Sequence, residues 1–316
     1  MVSQNLAGVG QQLDSSLPTI YSEFKLLRDE TGVARSMATP MPLMPHQGAS
    51  KNVNNYGRVL AYDVPDGADI NQAQALNDTT TTWTPGEVAV QVILPGSTMR
   101  RIQDPDLESR TARMLNNAYD LKEDSDGCAQ FTSFTPILGS AGTVIGVGHL
   151  HAALARLRIG NNRANPEPAP EPHFIALHPL QAFVIAGRLI PLTDVPTGTN
   201  VYTGTAAGAT VAAGRTSMSD DILRRGIGSI GRLIGATVKV DANIAVDASD
   251  DASGVALSKE GFVYIPEVEP QYDPDRGDKS MRGAVELNLW GSYAWGLYRA
   301  GAFGVELLFD ATLPTS

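Results

Sequence analysis

The chain of 316 residues is short of cysteine, of aromatic residues and of positive charge. Cys128 stands alone, which excludes an intrachain disulfide and any cysteine zinc cluster. No run of about 18 apolar residues occurs, so no transmembrane helix is expected. The opening Met1-Val2-Ser3-Gln4-Asn5-Leu6 lacks the basic-then-apolar order of a secretory signal. With 34 acidic residues against 24 basic, the net charge is −10, and no basic stripe suited to phosphate backbones is visible. Charge therefore argues against specific nucleic-acid binding, although an acidic surface facing confined DNA would keep that polymer mobile. The expectation is a soluble protein made in a reducing cytoplasm, with neither covalent nor metal staples.

What the chain does have is glycine (31), proline (20) and a 42% hydrophobic fraction, enough for a substantial core. This mix predicts an α+β protein with long irregular stretches. Residues 1–50 read as an arm: Tyr21 to Arg28 suits a short helix, but Pro40, Pro42 and Pro45 break any continuation. Tyr56 to Val64 and Glu87 to Leu94 alternate with a period of two, which predicts a pair of half-buried strands. Pro65 to Pro85 between them, with Thr79 to Thr82 in a row, reads as a long polar loop. A loop of about twenty residues does not suit a compact domain. It suits a hairpin that leaves its own domain and lies across a neighbour.

A helix is expected from Asp104, a good N-cap ahead of Pro105, with Leu107, Met114, Leu115, Ala118 and Leu121 on one face and a stop near Ser125-Asp126-Gly127. A second helix is predicted over Val147 to Arg158, with His151 on its apolar stripe. Asn165 to Pro172 should be extended. Phe174 to Leu177 reads as a short buried strand, and Pro179 opens a helix running to about Leu189. Residues 197–217 read as a surface loop, Ser219 to Ile222 opens a short helix, and Thr237 to Val240 is a strand. Val285, Leu287 and Leu289 alternate, as do Phe303, Val305, Leu307 and Phe309.

Candidate chemistry is thin. Gly226-Ile227-Gly228-Ser229-Ile230-Gly231 matches G-x-G-x-x-G, but that motif binds a dinucleotide only after a strand and at the start of a helix. Here a helical pattern precedes it and a strand follows, so glycine turns are the better reading. His149 and His151 point apart on a helix and make a poor metal pair. Asp273, Asp275 and Asp278 lack the glutamate that completes a calcium loop, and Asp247, Asp250 and Asp251 read as solvated loop, with an interface cation as the alternative. Arg276-Gly277-Asp278 is read as chance. No nucleophile elbow, phosphate-binding loop or zinc-protease motif occurs. Cys128 has no adjacent basic partner to lower its pKa, and is expected to be a small packed residue. No catalytic, cofactor-binding or metal-binding residue is assigned.

The order of arm, long hairpin, long helix, alternating segments and stranded C-terminus resembles the Hong Kong 97-type major capsid proteins of tailed phages. Phe174 to Gln181 looks like their apolar strand ending in a proline. Gly228 to Val238 is similar to their glycine-rich segment leading into a strand. Tyr293 to Leu297 followed by Gly301 to Val305 looks like their closing strands. The resemblance implies an α+β Hong Kong 97-type phage capsid fold with N-arm, extended E-loop hairpin, peripheral domain with long spine helix, and axial domain. It divides the chain into an N-terminal arm (1–50), the E-loop hairpin (51–100), the spine helix (101–130), the axial domain with returning peripheral segments (131–285) and C-terminal strands (286–316).

The same resemblance implies a structural, non-enzymatic subunit that self-assembles as hexamers and pentamers around a double-stranded DNA genome contacted non-specifically. Its place would be the virion, after synthesis in the host bacterial cytoplasm, with portal, decoration and separate scaffolding proteins as further partners and no membrane. Pro65, Asp66, Thr79, Thr80, Trp83 and Pro85 are the expected inter-subunit contacts. Some family members crosslink through an E-loop lysine, but no lysine lies between Lys51 and Lys122. Some carry a fused scaffolding domain of about a hundred residues; with about fifty residues before the hairpin, scaffolding is expected to be separate or dispensable. An encapsulin-like nanocompartment shell is the alternative within the fold, and a tail or decoration protein another. A nucleotide-dependent enzyme using Gly226 to Gly231 is the alternative from a different class.

Overall fold

A computed structural model describes residues 32–46, 48–56, 59, 61–67, 69, 73–75, 78–95, 107–160, 167–189, 232–233, 235–275 and 285–312. The expected helices over Tyr21–Arg28 and Ser219–Ile222, the loop 197–217 and the G-x-G-x-x-G segment lie outside them. The chain forms two units. One comprises Glu87–Asp124 and Val268–Ser292, the other Val33–Gly86, Ser125–Glu267 and Tyr293–Ser316.

The larger unit is organised by a six-stranded sheet. Its strands are β5 (Ile137–Gly139), β6 (His173–Leu177), β7 (Arg232–Leu233), β8 (Ala236–Val240), β9 (Asp251–Ser258) and β12 (Gly304–Asp310). They lie in the order β5-β12-β9-β6-β8-β7. β12 pairs antiparallel with β9 along its whole length, from Gly304 against Leu257 to Asp310 against Asp251. β6 lies parallel to β8 and antiparallel to β9. Four of its five residues are buried, so its run of apolar residues needs no alternation: both of its faces are covered.

Helices α3 (Val147–Ile159) and α4 (Pro179–Leu189) cover one face. Leu150, Ala153, Leu154 and Leu157 of α3 and Ala182 and Ile185 of α4 pack with Ile175, Leu177, Val238, Val305, Leu307 and Phe309. Gln181 enters this core fully buried and remains satisfied. Its Nε2 donates to Ala252 O (2.7 Å) and Phe309 O (3.1 Å), and its Oε1 accepts from the His178 amide (3.3 Å). One side chain thereby ties the start of α4 to β9 and β12. A second, aromatic core holds Phe131, Phe134, Phe262 and Trp295, with Phe262 stacked on Trp295 at 4.9 Å.

Two further helices are α1 (Ala34–Met37) and the long α2 (Leu107–Ala129). Ser125-Asp126-Gly127 does not end α2, which continues to Ala129 and into a 3-10 turn at Gln130–Ser133. Gly127 is there for space: a Cβ would stand 2.6 Å from Ala34 Cβ and 3.0 Å from the Trp295 ring. The expected apolar face is also displaced. Thr111, Leu115 and Tyr119 are buried, whereas Met114, Ala118 and Leu121 are exposed.

A four-stranded sheet runs β1 (Thr39–Pro40), β10 (Phe262–Asp275), β11 (Val285–Leu297), β4 (Gly86–Leu94). β4 carries the expected alternation, with Val88, Val90, Val92 and Leu94 half-buried. Its partner is β11, not Tyr56 to Val64. The strand paired as a hairpin with β2 (Lys51–Tyr56) is β3 (Asp78–Trp83), drawn from the threonine run expected to be loop. Threonine is β-branched and fits a pleated strand, and polar sequence alone did not make this one a loop. The short helix α5 (Ala300–Phe303) joins β11 to β12. Among the described residues no helix is long and apolar enough to cross a membrane.

Two expectations follow. Gly304 abuts the Phe134 ring where a Cβ would stand, so Gly304→Ala should cost about 1–3 kcal/mol by overpacking, read as a lower denaturation midpoint. Glu306 is buried on β12 and accepts a hydrogen bond from Ser253 Oγ (2.8 Å); burial pushes its carboxyl above the usual range. The folded state therefore holds this proton more tightly than the unfolded state. Its contribution is complete below the unfolded pKa and is lost as pH rises through the folded one. Glu306→Gln should gain stability over the native protein between about pH 4 and about pH 7, measured by urea denaturation at each.

Candidate functional site

The part of the molecule that its own fold leaves incomplete is the β2–β3 hairpin and the segment beyond it. Lys51 pairs with Trp83, Val53 with Thr81 and Asn55 with Thr79, in antiparallel register. Lys51, Val53, Asn55, Thr81 and Trp83 are half-buried on one face, while Asn52, Asn54, Thr80 and Thr82 are exposed on the other. Period-two alternation thus holds even in a polar ladder, because one face lies on the unit beneath. On the outer face Thr80 Oγ1 donates to Asn54 Oδ1 at 2.9 Å, the cross-strand pairing that stabilises such ladders.

The ladder is attached at both ends. At its root Trp83 packs, with Met41, Ala294 and Tyr298, against the buried cluster of Leu43, Val263 and Ile265, and its indole lies where a Cβ of Gly296 would stand. Any other residue at 296 would evict the ring. Lys51 Nζ reaches Pro42 O at 3.4 Å. At the other end Arg299 donates from Nε to Asn55 Oδ1 (2.6 Å) and from Nη2 to Tyr56 O (3.0 Å). Its remaining nitrogen pairs with Glu167, and its guanidinium lies 5.6 Å from the ring centres of both Tyr298 and Phe303. Arg299 adopts φ 49°, a left-handed turn where β11 gives way to α5.

Beyond Tyr56 cover runs out. Tyr56, Val59, Tyr62 and Val64 are each about half exposed, at 56%, 60%, 52% and 46%. Large apolar side chains gathered on one exposed segment mark an interaction surface. Of the expected contact residues, Pro65, Asp66, Thr79 and Thr80 are exposed on this arm. Trp83 and Pro85 are half-buried at its root, where Trp83 is committed to its own unit. Tyr62 and Val64 were legible, with Leu60, as a strand face and not as an uncovered one; Leu60 lies outside the described residues.

The other candidates resolve into structural roles. His149, not His151, is the packed histidine: its ring stacks on Phe309 at 4.7 Å and its Nδ1 accepts the Gly146 amide at 3.1 Å, closing the first turn of α3. His151 is exposed, since the buried stripe runs through Leu150, Ala153, Leu154 and Leu157. Asp247 accepts the amides of Ser249 (2.8 Å) and Asp251 (2.9 Å), and Asp251 accepts the Gly142 amide (2.8 Å), so these two carboxylates shape the turn into β9. Asp273 and Asp275 lie on β10, and Asp278 is outside the described residues. Cys128 is buried on α2 with its thiol 4.0 Å from Asp241 Oδ2.

No family model matches the chain, and no curated protein does. Solved structures do, over nearly the whole length. The structure of Mycobacterium phage Che8 superposes with a TM-score of 0.61 at 15% identity, covering 90% of this chain and 92% of that one. The capsid of cyanophage P-SCSP1u gives 0.60 at 10% identity over 89% of both. The holo-SrpI encapsulin complex from Synechococcus elongatus PCC 7942 gives 0.56 at 11% identity, again over 89% of both. Similarity spread over nearly the whole chain, at identities too low to carry anything but architecture, assigns this chain the Hong Kong 97-type capsid fold.

Proposed function

We propose that this chain is the structural shell subunit of a tailed-phage head, assembling as hexamers and pentamers into a closed icosahedral shell around double-stranded DNA. The observation that carries the reading is the hairpin arm, whose apolar residues its own unit leaves uncovered, on a fold shared with solved structures of a phage capsid and an encapsulin. A neighbouring copy is the natural cover: identical subunits in a closed shell bury identical arms, and stability then comes with assembly. Pro65, Asp66, Thr79 and Thr80 would form the contact, with Trp83 and Pro85 fixing its root. Residues 1–50 would act as the N-terminal arm, the helix within 101–130 as the spine of a peripheral domain, most of 131–285 as the axial domain and 286–316 as closing strands. A chain of net charge −10 would touch packaged DNA only non-specifically. Portal, decoration and scaffolding proteins would complete the virion, after synthesis in the host cytoplasm.

The similarity to the holo-SrpI encapsulin complex supports a second reading, a nanocompartment shell that holds a protein cargo. Shells isolated from the native source distinguish the two: nuclease-protected genomic DNA fits the head, and a stoichiometric enclosed protein fits the compartment.

The test is electron microscopy and size-exclusion chromatography of the chain expressed alone and with co-expressed neighbouring open reading frames. Closed shells, or free hexamers and pentamers, are expected. Replacing residues 59–75 by a short Gly-Ser linker should leave the denaturation midpoint of the free subunit unchanged and abolish shells. Shells that form equally well without those residues would remove the arm from the assembly interface. A monodisperse monomer under every condition would count against the shell reading itself.

A further inference from the structure

We infer that Arg299 is a clamp that sets where the arm becomes free to move, holding the β2–β3 ladder against its own unit as far out as Asn55 and Tyr56. The inference rests on the shell reading for its purpose but not for its geometry. An arm that projects from its base is held at its base alone. This ladder is held at Trp83 and Lys51 and again at Asn55 and Tyr56, about 15 Å further along the strands. The second attachment is almost entirely the work of one side chain. Tyr298 Oη adds a contact to Asn55 Oδ1, long at 3.5 Å.

The guanidinium suits the task because its donors are fixed in one plane and point to separate acceptors. Nε meets the Asn55 side chain, Nη2 the Tyr56 carbonyl, and Nη1 the Glu167 carboxylate. Glu167 and the rings of Tyr298 and Phe303 hold the guanidinium in position from the platform side. The left-handed backbone at Arg299 is a further sign of purpose, since a bulky residue at positive φ is uncommon and glycine is the ordinary choice there. The side chain at this turn is retained against that preference. With the clamp closed, the point at which the arm bends lies at Tyr56 and Asp78, and not at the root beside Gly86.

This placement yields a clean experiment. Arg299→Gly suits the left-handed turn and removes only the fork. Arg299→Lys keeps the charge and loses the planar donors, and Asn55→Ala removes the acceptor while leaving the turn untouched. Amide hydrogen exchange on the unassembled full-length subunit is the readout, so it reports on the clamp whether or not the chain forms shells. In Arg299→Gly and Arg299→Lys, protection across 51–56 and 78–83 is expected to fall by about tenfold, while β9 and β12 keep theirs. Asn55→Ala should give a smaller loss over the same residues, and it carries the test if the arginine variants do not fold. Unchanged ladder protection in all three variants overturns the proposal. So does full rescue by lysine, which would reduce the contact to charge, and so does equal loss in β9 and β12, which would make Arg299 an ordinary folding residue.

Discussion

A two-stranded ladder cannot hold itself together in water, and this dependence governs the arm. An isolated hairpin of two short strands is marginal because it has no second layer on which to bury a face. Here β2 and β3 are rich in asparagine and threonine, so they have little apolar surface of their own to contribute. Trp83 and the Arg299 fork supply what the ladder lacks. Further out, Tyr56, Val59, Tyr62 and Val64 leave roughly 1 kcal/mol each of burial unrealised, given about 1.5–3 kcal/mol for a fully buried side chain and half exposure here. That sum is modest for one subunit. In the proposed shell, neighbouring copies would supply that missing burial.

The attachment works because the platform beneath it does not yield. β6 lies between β9 and β8 at the centre of the larger sheet and is buried along most of its length, so its register is fixed by both neighbours. Gln181 adds a polar tie at the point where α4 begins, with all three of its hydrogen bonds made inside the core. Buried polar groups that are fully paired specify one arrangement of their surroundings, because any shift leaves a desolvated donor or acceptor behind. The chain turns from β11 through Arg299 and α5 into β12, whose side chains Val305, Leu307 and Phe309 lie in that same core. The clamp thus stands at the turn that leads into β12, a strand paired on both edges.

Much of this architecture is legible in the sequence, and the pattern of what is not is physical. Period and punctuation placed α3 at Val147, β6 around Phe174 to Leu177, α4 at Pro179, and β4 and β12 by their alternation, since each depends on local geometry alone. Partnership depends on the rest of the chain. Glu87 to Leu94 is a strand whichever strand it joins, and nothing local says that its neighbour is β11 and not Tyr56 to Val64. Thr79 to Thr82 read as loop because the run is polar, yet a strand exposed on one face needs no apolar residues there. Gly127 looked like a helix stop and is instead a point of close packing against Ala34 and Trp295, a distinction visible only when those residues are in place. The same holds for His149 and His151: helical spacing fixes their relative angle, and only Phe309 decides which of them faces inward. For the arm, spacing marked the reaching segment but not its attachment. Arg299 lies more than 240 residues from Asn55 and carries no motif.

The scarcity of aromatic residues sharpens the argument about where the arm is stiff. At 6% of the chain they are few, yet Trp83, Tyr298 and Phe303 gather at the arm's base, and Phe262, Trp295 and Tyr264 lie on the strands just behind it. Aromatic rings contribute large contact area through only two side-chain torsions, so a site built from them loses little entropy on becoming rigid. Placing them under the ladder fixes its direction, and the sequence of residues 63–77 contains none. Reach and direction are then set by different parts of the sequence. Direction belongs to Trp83, Gly296 and Arg299, and reach to the number of residues between Tyr56 and Asp78. Under this division the outer segment is free to change in length or composition to suit a neighbouring surface while the angle at which the ladder presents it stays fixed, as the proposed shell would require.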